Sequence, residues 1–480
     1  MNRRMVLYIV GTVIKIEAAL MVLPLITSLI YKESCAKDFL ISIGIALVAG
    51  FALTLAFRPG SKIIYAKEGF VIVSLAWVAL SSIGALPFYI SGEIPSYIDA
   101  FFETVSGFTT TGASILTDVE AMSKGMLFWR SFTHWIGGMG VLVFIMAIIP
   151  SVSDRTIHLL RAEAPGPVVG KLLPKMKHTA RTLYIIYIVL TVALFIFLLA
   201  GGMPVFDSIV HAVGTAGTGG FGIKGDSIAS YSPYIQWVIA IFMLLFGVNF
   251  NLYYFALIRK FKAAIKNEEL MTYACLVLFS IVTISINIAP LYETVSETVR
   301  TSVFQVAAII SSTGFATADF NLWPGFSKTI LLLLMLVGGC AGSTAGGFKV
   351  SRVLMLFKTI KRELQKLLHP RAVSTIRLEG KRVDEKTISS LGSYLAIYVI
   401  FLCGVIFILG MDKFDLETNI SAAVSCVNNI GPGFSAVGPA SSYAMYSPFS
   451  KIVLSFAMLL GRLEIFPLIL TFSPSTWVKK

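Results

Sequence analysis

The sequence predicts an all-α polytopic membrane protein with ten transmembrane helices, and three observations lead to this fold class. Hydrophobic residues make up 56% of the 480 residues and charged residues only 14%, a composition that ordinary soluble domains do not have. Several apolar runs have about twenty residues or more, the length that a helix needs to cross a hydrocarbon layer about 30 Å thick. A glycine-bearing polar segment also recurs four times at intervals of roughly a hundred residues, which indicates an internal repeat.

The first two predicted spans, residues 5–31 and 39–57, form an N-terminal transmembrane hairpin within residues 1–68. The first apolar run is longer than the apolar region of a cleaved signal peptide, so we predict a retained anchor. Lys15 and Glu17 are unusual residues for a membrane span. We expect them to form ion pairs with neighbours or to extend toward the membrane surface.

Four predicted repeats follow the hairpin, and each contains two spans with a shorter segment between them. The shorter segments have room for about ten helical residues, so each is predicted to enter the membrane and return without crossing it. Non-helical backbone is tolerated at membrane depth only where it is buried in protein or lines an aqueous cavity. The four segments are therefore predicted to meet at a shared axis, as pseudo-fourfold helix–pore-loop–helix units. With their connectors, the four units are residues 69–180, 181–268, 269–390 and 391–480. In the same order, their pairs of spans are 70–90 with 125–149, 183–202 with 233–258, 270–289 with 325–357, and 391–410 with 449–471.

Each repeat turns at a four-residue stretch that we call a central segment: residues 109–112, 217–220, 311–314 and 428–431. The four segments share small or polar side chains and one glycine in register, and none carries Asp or Glu. This composition favours coordination of a dehydrated monovalent cation by backbone carbonyls, and glycine allows the positive φ that turns a carbonyl toward the axis. In any single segment, a small-residue turn at a helix contact would give the same pattern. The candidate ligands are Thr110, Thr111, Gly112, Thr218, Gly219, Gly220, Ser312, Thr313, Gly314, Asn429, Ile430 and Gly431.

The last span of the third repeat is interrupted by a glycine-rich sequence, residues 338–347, which we call the interrupting loop. Each of its glycines destabilises a helix by about 1 kcal/mol relative to alanine. The sequence predicts a movable loop that crosses the ion path below the central segments, although small residues also occur where helices pack closely. Arg462 is predicted to face the path at a similar depth and to oppose cations, with a salt bridge to another helix as the alternative. The candidate gate residues are Gly338, Gly339, Gly342, Ser343, Thr344, Gly346, Gly347, Lys349 and Arg462.

The formal net charge of +13 is unevenly distributed along the chain. Most Lys and Arg residues fall in connectors that the predicted spans place on one side of the membrane, which is the positive-inside pattern. Both termini are therefore predicted to be cytoplasmic, and the charge does not indicate nucleic-acid binding. The most basic connector, residues 349–386, is expected to contact anionic lipid or, alternatively, to form a docking face for a soluble partner.

The remaining motifs indicate neither an enzyme nor a metal or redox centre. The five cysteines lie far apart without a CxxC pair, so we expect free thiols packed among helices. His134 and His211 are isolated and are expected to be satisfied by neighbours. A Gly-x-Gly-x-x-Gly match at 220–225 follows no predicted strand and predicts no nucleotide site.

Several stretches are specific enough to compare with known families. They are Phe-Thr-Thr-Thr-Gly-Ala at 108–113, Trp-Ile-Gly-Gly-Met-Gly at 135–140, Arg-Ala-Glu-Ala-Pro-Gly-Pro at 161–167, the interrupting loop and Arg462. In these stretches, and over nearly its whole length, the chain resembles the TrkH/TrkG/KtrB superfamily of microbial potassium transporters. The additional N-terminal hairpin favours the TrkH branch.

The resemblance implies potassium uptake across a prokaryotic inner membrane, with K+ as the transported ion and no organic cofactor. It implies potassium selection by the central segments, a gate formed by the interrupting loop with Arg462, and a homodimer. It also implies a TrkA-like cytoplasmic subunit that binds nucleotides and opens the gate. The fourth central segment, with Asn428-Asn429 and Gly431-Pro432, departs most from the first, so we expect unequal coordination. Each segment has one shared glycine, where tetrameric potassium channels have two, so we also expect weaker rejection of sodium. An obligatorily coupled K+/H+ or K+/Na+ symporter on the same scaffold is the alternative.

Overall fold

The computed structural model describes residues 1–60, 64–140, 176–371 and 374–477, and these residues are mostly helical. Six helical stretches are long and apolar enough to cross a membrane, and a bent pair of helices would make a seventh. The all-α class and the multi-pass membrane character are therefore confirmed, whereas the described helices do not by their lengths provide ten spans. The six stretches are Arg3–Ile30, Ala36–Ala56, Lys67–Ile90, Arg181–Ala200, Glu268–Leu291 and Glu385–Leu409.

Shorter helices alternate with these long ones in each predicted repeat. In each repeat, a helix of 13 to 15 residues forms the first part of the predicted second span. At 1.5 Å per residue such a helix is about 20 Å long, which is short of a full crossing. The middle helices are Tyr97–Phe108, Val205–Gly217, Val295–Ile310 and Leu416–Val427, and the following ones are Lys124–Gly138, Pro233–Phe246, Gly325–Val337 and Pro448–Arg462.

Three of the four middle helices begin at side-chain caps, whereas the second begins after Pro204 without one. Ser96, Thr294 and Asp415 each accept a hydrogen bond from the backbone N–H three residues later. The hydrogen bond from the Thr418 hydroxyl lowers the pKa of Asp415, so this cap stays charged. A cap and a negative charge both stabilise a helix N-terminus, and all four helices carry an acidic residue in the first turn. These residues are Asp99, Asp207, Glu297 and Glu417.

The predicted span at residues 233–258 is not one continuous helix. Two helices, Pro233–Phe246 and Phe250–Leu257, meet there at a bend of 91°. The Gly247 carbonyl accepts a hydrogen bond from the Cys340 N–H at 2.9 Å, so backbone groups at the break bond outside their own helix. Apolar periodicity does not reveal such a partner, and the sequence therefore read as continuous.

The last span of the fourth repeat is also broken, where a continuous helix was predicted. Its first helix ends at Arg462, and Glu464 and Ile465 then adopt positive φ before a short helix resumes at Phe466. In the third repeat the predicted interruption is confirmed, because no described residue from Gly338 to Lys349 is helical. The remaining part of the first repeat's second span, residues 141–149, and the motif at 161–167 lie outside the described residues.

The other described elements complete the chain. They are the helices Arg3–Leu20, Val22–Ile30, Ala66–Gly84, Leu86–Ile90, Met176–Ala200, Phe261–Ile265, Glu268–Ile288, Val350–Leu368, Glu385–Leu409 and Pro474–Trp477, and the antiparallel strands Arg377–Leu378 and Lys381–Arg382.

The N-terminal hairpin packs through glycines where its two helices cross. A Cβ atom on Gly50 would lie 2.6 Å from Lys15 Cγ and 2.9 Å from the Gly11 carbonyl oxygen. A Cβ on Gly11 would lie 2.7 Å from Leu53 Cβ. The absence of side chains at these two positions therefore allows the backbones to approach closely.

The expected ion pairs of Lys15 and Glu17 do not occur among the described residues. Lys15 instead donates to the Thr54 hydroxyl at 3.2 Å and lies 4.9 Å from the ring centroid of Phe51. Glu17 is 1% exposed, and neither of its carboxyl oxygens has a hydrogen-bond partner in the described part of the chain. A hydroxyl and an aromatic face on the neighbouring helix thus replace the expected carboxylate partner of Lys15.

We predict that Gly50→Val lowers the thermal stability of the protein, because a side chain there must push the two helices apart. Overpacking of this kind costs about 1–3 kcal/mol. The control is Gly44→Val on the same helix, where an added Cβ has no atom within 4 Å. Melting curves of the two purified variants in detergent should differ, and equal melting temperatures would contradict close packing at Gly50.

Candidate functional site

The four middle helices end in the same backbone turn. The residue two positions before the shared glycine has φ between 53° and 56° in all four repeats, although it is never glycine. Positive φ is uncommon for residues with a side chain, so its recurrence at one position marks one repeated local structure. These residues are Thr110, Thr218, Ser312 and Asn429, and the glycines that follow, all with positive φ, are Gly112, Gly220, Gly314 and Gly431.

The four glycines form a closed ring of contacts. A Cβ atom on any of them would lie within 3 Å of a carbonyl oxygen of the next central segment, and the fourth segment in turn contacts the first. Only glycine fits such an approach of backbone to backbone. The distances are 2.0 Å from Gly112 to Gly219, 1.9 Å from Gly220 to Thr313, 2.2 Å from Gly314 to Ile430 and 2.8 Å from Gly431 to Thr111.

The carbonyl oxygens in this ring have no hydrogen-bond donor among the described residues. All four residues are buried, and a buried carbonyl without a partner is costly in free energy. A cation or water on the axis would satisfy these oxygens. They belong to Thr111, Gly219, Thr313 and Ile430, so the structure brings the twelve candidate ligands together in one place.

A cavity of about 380 Å³ opens beyond the ring, on the side of the residues that follow the central segments. All four shared glycines line it. Within the described part of the chain, no group of three or more His, Cys, Asp or Glu side chains is arranged to hold a metal ion. Backbone oxygens, and not carboxylates, are therefore what this site offers to a cation.

A buried ion pair supports the first two central segments from behind. The Arg130 Nε and Glu103 Oε1 atoms are 2.5 Å apart, and the side chains are 3% and 0% exposed. Glu103 also accepts from the Ile115 N–H at 2.9 Å, and Arg130 donates to the Gly222 carbonyl at 3.0 Å. The pair thus fixes the backbone just after both segments. The sequence analysis did not identify these two residues, although charges within apolar stretches are a general indication of a site.

Two histidines lie beside the ring. His134 Nδ1 lies 2.7 Å from the Gly107 carbonyl oxygen, and its Nε2 accepts from the Phe221 N–H at 3.3 Å. His211 Nδ1 lies 2.8 Å from the Asp207 carbonyl oxygen, whereas its Nε2 has no partner among the described residues. The expectation of satisfied histidines is confirmed in full for His134 and for one nitrogen of His211.

The interrupting loop lies against the opposite side of the ring. The Gly346 N–H donates to the Ser312 hydroxyl, and a Cβ on Gly346 would lie 2.3 Å from the Asn428 carbonyl oxygen. The Phe250 N–H, at the break in the second repeat, donates to the Gly342 carbonyl at 3.0 Å. The loop therefore contacts the second, third and fourth repeats.

Backbone geometry and one acidic side chain hold the loop in shape. Gly338, Gly342, Gly347 and Lys349 all adopt positive φ. The Lys349 ammonium group donates to the Ala345 carbonyl, and Ser343 donates to the Cys340 carbonyl at 2.6 Å. Glu269, which the sequence analysis missed, accepts from the N–H groups of Ala341 and Ser351 at 2.6 and 3.1 Å.

Arg462 links the loop to the first repeat. Its guanidinium donates to the Thr344 carbonyl at 2.9 Å and to the Gly137 and Gly138 carbonyls at 2.5 and 2.6 Å. In the ring, the fourth central segment lies between the third and the first. Arg462 thus extends from the fourth repeat to carbonyls on two opposite repeats. Glu464 instead forms a salt bridge with Arg352.

Comparison with known proteins gives consistent matches over the whole chain. The family profile described as TrkH, cation transport protein, matches residues 36–479. The Trk system potassium uptake protein TrkH of Salmonella typhimurium is 37% identical over 99% of this chain and 100% of its own. TrkG of Escherichia coli K12 is 34% identical over 99% and 98%. The crystal structure of the potassium transporter TrkH from Vibrio parahaemolyticus covers 100% of both chains, with a TM-score of 0.89 and 31% identity.

We predict that Glu103→Gln strongly destabilises the protein, because it leaves the buried Arg130 without its counter-charge. Removing one partner of a buried ion pair typically costs about 3–5 kcal/mol. The control is Glu417→Gln, which removes an exposed ion pair with Lys328. The Glu417 and Lys328 side chains are 50% and 27% exposed, and losing such a pair should cost at most about 1 kcal/mol. Thermal unfolding in detergent compares the two variants, and similar melting temperatures would refute the supporting role of Glu103.

Proposed function

Because the chain belongs to the TrkH family of cation transport proteins, we propose that it carries potassium into the cell through a gated pore lined by backbone carbonyls. The protein is a transporter and not an enzyme. The observation that carries the proposal is the closed ring of glycines, whose buried carbonyl oxygens have no donor in the described part of the chain. Such oxygens replace the water around an alkali cation. Relatives that match nearly the whole chain are named potassium uptake proteins.

The proposed architecture has ten spans, with four helix–pore-loop–helix repeats in pseudo-fourfold arrangement after the N-terminal hairpin. Its support is that the short middle helices and their positive-φ turns recur at equivalent positions in all four repeats. The basic connectors support cytoplasmic termini and an inner-membrane location. K+ is the proposed cargo, and the twelve residues of the central segments are its proposed ligands.

The interrupting loop and Arg462 are the proposed gate. The loop contacts three repeats directly below the ring, and Arg462 places a positive charge between the loop and the first repeat. A cation that leaves the ring on this side meets that charge, and the cost of such an encounter is large where water is scarce. Opening would require the hydrogen bonds of Arg462 to break.

A homodimer and a TrkA-like nucleotide-binding subunit are the proposed partners. The helix Val350–Leu368 exposes a row of apolar side chains at helical spacing, which supports an interface. Basic residues of the same connector give a soluble partner a complementary surface. The apolar row consists of Phe357, Ile360, Leu364, Leu367 and Leu368.

Rubidium uptake into proteoliposomes tests the proposed function. We expect uptake that follows the potassium or rubidium gradient alone, at any pH and without sodium, whereas dependence on a proton or sodium gradient would favour the coupled symporter.

Gly112→Ser should reduce the preference for potassium over sodium several-fold, because the new side chain meets the Gly219 carbonyl. Gly92→Ser is the control, since Gly92 also has positive φ but no neighbour within 4 Å. An unaltered preference in Gly112→Ser would argue against the ring as the filter.

We predict that Arg462→Met increases basal rubidium uptake, because it removes the charge from the proposed gate. Lys361→Met removes a positive charge from the exposed surface of the helix Val350–Leu368 and should leave uptake unchanged. Both variants are compared with the unaltered protein at equal reconstituted amounts. Unchanged or reduced uptake in Arg462→Met would contradict the barrier role.

A further inference from the structure

The glycine carbonyl of the fourth central segment is bonded by the protein itself. The Gly431 oxygen accepts hydrogen bonds from the Ser425 hydroxyl at 2.7 Å and from the Tyr443 hydroxyl at 2.9 Å. No described residue donates to the equivalent oxygens of Gly112, Gly220 or Gly314. The φ angle of Gly431 is 106°, compared with 75–80° for the other three. The fourth repeat therefore differs from the others at the level of the shared glycines.

Two donors occupy the whole acceptor capacity of this oxygen. A carbonyl oxygen has two lone pairs, and both partners are at ordinary hydrogen-bond distances. Ser425 is fully buried and Tyr443 is 2% exposed, so water does not readily compete for these bonds. The Gly431 oxygen is thus not free for a cation, whereas its three counterparts are.

Among the described residues, only the fourth repeat has hydroxyls that donate to the carbonyl of its shared glycine. Ser425 lies six residues before Gly431. Of the other three repeats, only the first has a hydroxyl at the equivalent position, on Ser106. The Ser106 hydroxyl has no hydrogen-bond partner among the described residues. Tyr443 is fixed from the first repeat, since its N–H donates to the Ser114 carbonyl at 2.8 Å and its ring lies 5.8 Å from that of Phe102. Its hydroxyl is therefore held in position by elements outside the fourth segment.

The carbonyl oxygens of the residues just before the four shared glycines show no such asymmetry. The oxygens of Thr111, Gly219, Thr313 and Ile430 all lack donors among the described residues, and each of them contacts a neighbouring glycine. The ring thus has one level with four free oxygens and, next to it, one level with three.

We propose that Ser425 and Tyr443 are specificity-determining residues that make the glycine level of the pore three-sided. A cation at this level keeps water on its fourth side and is not fully dehydrated by the protein. Discrimination between potassium and sodium depends on the number of coordinating carbonyls, so this level rejects sodium less than a four-sided one would. The inference rests on the proposed potassium pore and specifies which of its oxygens bind the ion.

The test is the double variant Ser425→Ala, Tyr443→Phe, reconstituted in proteoliposomes. With both donors removed, the buried Gly431 oxygen has only the pore contents as a partner. We expect sodium to compete several-fold less effectively with rubidium uptake than in the unaltered protein, and each single variant to lie between. Ser106→Ala and Tyr446→Phe are the matched controls, because the Tyr446 hydroxyl bonds to Asn419 at 3.1 Å and not to the ring. Both controls should leave the competition unchanged.

Unchanged or stronger sodium competition in the double variant would overturn the inference. If that variant does not fold, the anomalous signal of rubidium in a crystal of the unaltered protein decides instead. We expect an ion equidistant from four oxygens at the Thr111 level, and at the glycine level an ion that Gly431 does not contact. Equal distances to all four glycine oxygens would refute the proposal. Absence of rubidium uptake by the unaltered protein would refute the proposed function itself, which is a separate result.

Discussion

The structure depends on four places where a glycine backbone lies against a neighbour's carbonyl oxygen. A Cβ atom at Gly112 or Gly220 would lie about 2 Å from that oxygen. Because the oxygen belongs to the backbone, no movement of a side chain can relieve this clash. The close approach makes the ring narrow, and no described residue donates to its carbonyl oxygens. The same contact therefore determines both the shape of the site and its need for a cation or water.

A ring of carbonyl dipoles repels itself, so the surrounding structure must hold it in place. Hydrogen bonds behind the ring do this, and they differ between the first two repeats and the fourth. Glu103 and Arg130 bond the backbone after the first two segments, and the Ser421 hydroxyl accepts from the Phe434 N–H at 2.8 Å after the fourth. In a dry interior such networks are strong when every member is satisfied and costly when one is lost. The geometry of the ring thus depends on side chains that lie outside it.

Local sequence was sufficient to predict the glycine register and the interruption at residues 338–347, because glycine acts on its own backbone. It did not predict the break near Gly247 or the Glu103–Arg130 pair. The partner of Gly247 is Cys340, and Glu103 and Arg130 belong to different helices, so only the folded chain brings these groups together. The occupied carbonyl of Gly431 has the same cause, since the hydroxyl of Tyr443 arrives from a loop that the first repeat holds.

Among the described central segments, the fourth repeat differs from the others on either side of one layer to which all four repeats contribute a carbonyl oxygen. Four equivalent oxygens, from Thr111, Gly219, Thr313 and Ile430, are what a spherical cation needs for dehydration from all sides. The proposed gate has the opposite requirement, because one loop can close a narrow path whereas four copies would collide at the axis. Duplicated repeats satisfy both requirements when the backbone of the central segments stays equivalent and the side chains around it diverge. The third repeat then supplies the loop, and the fourth supplies Arg462 together with the occupied carbonyl of Gly431.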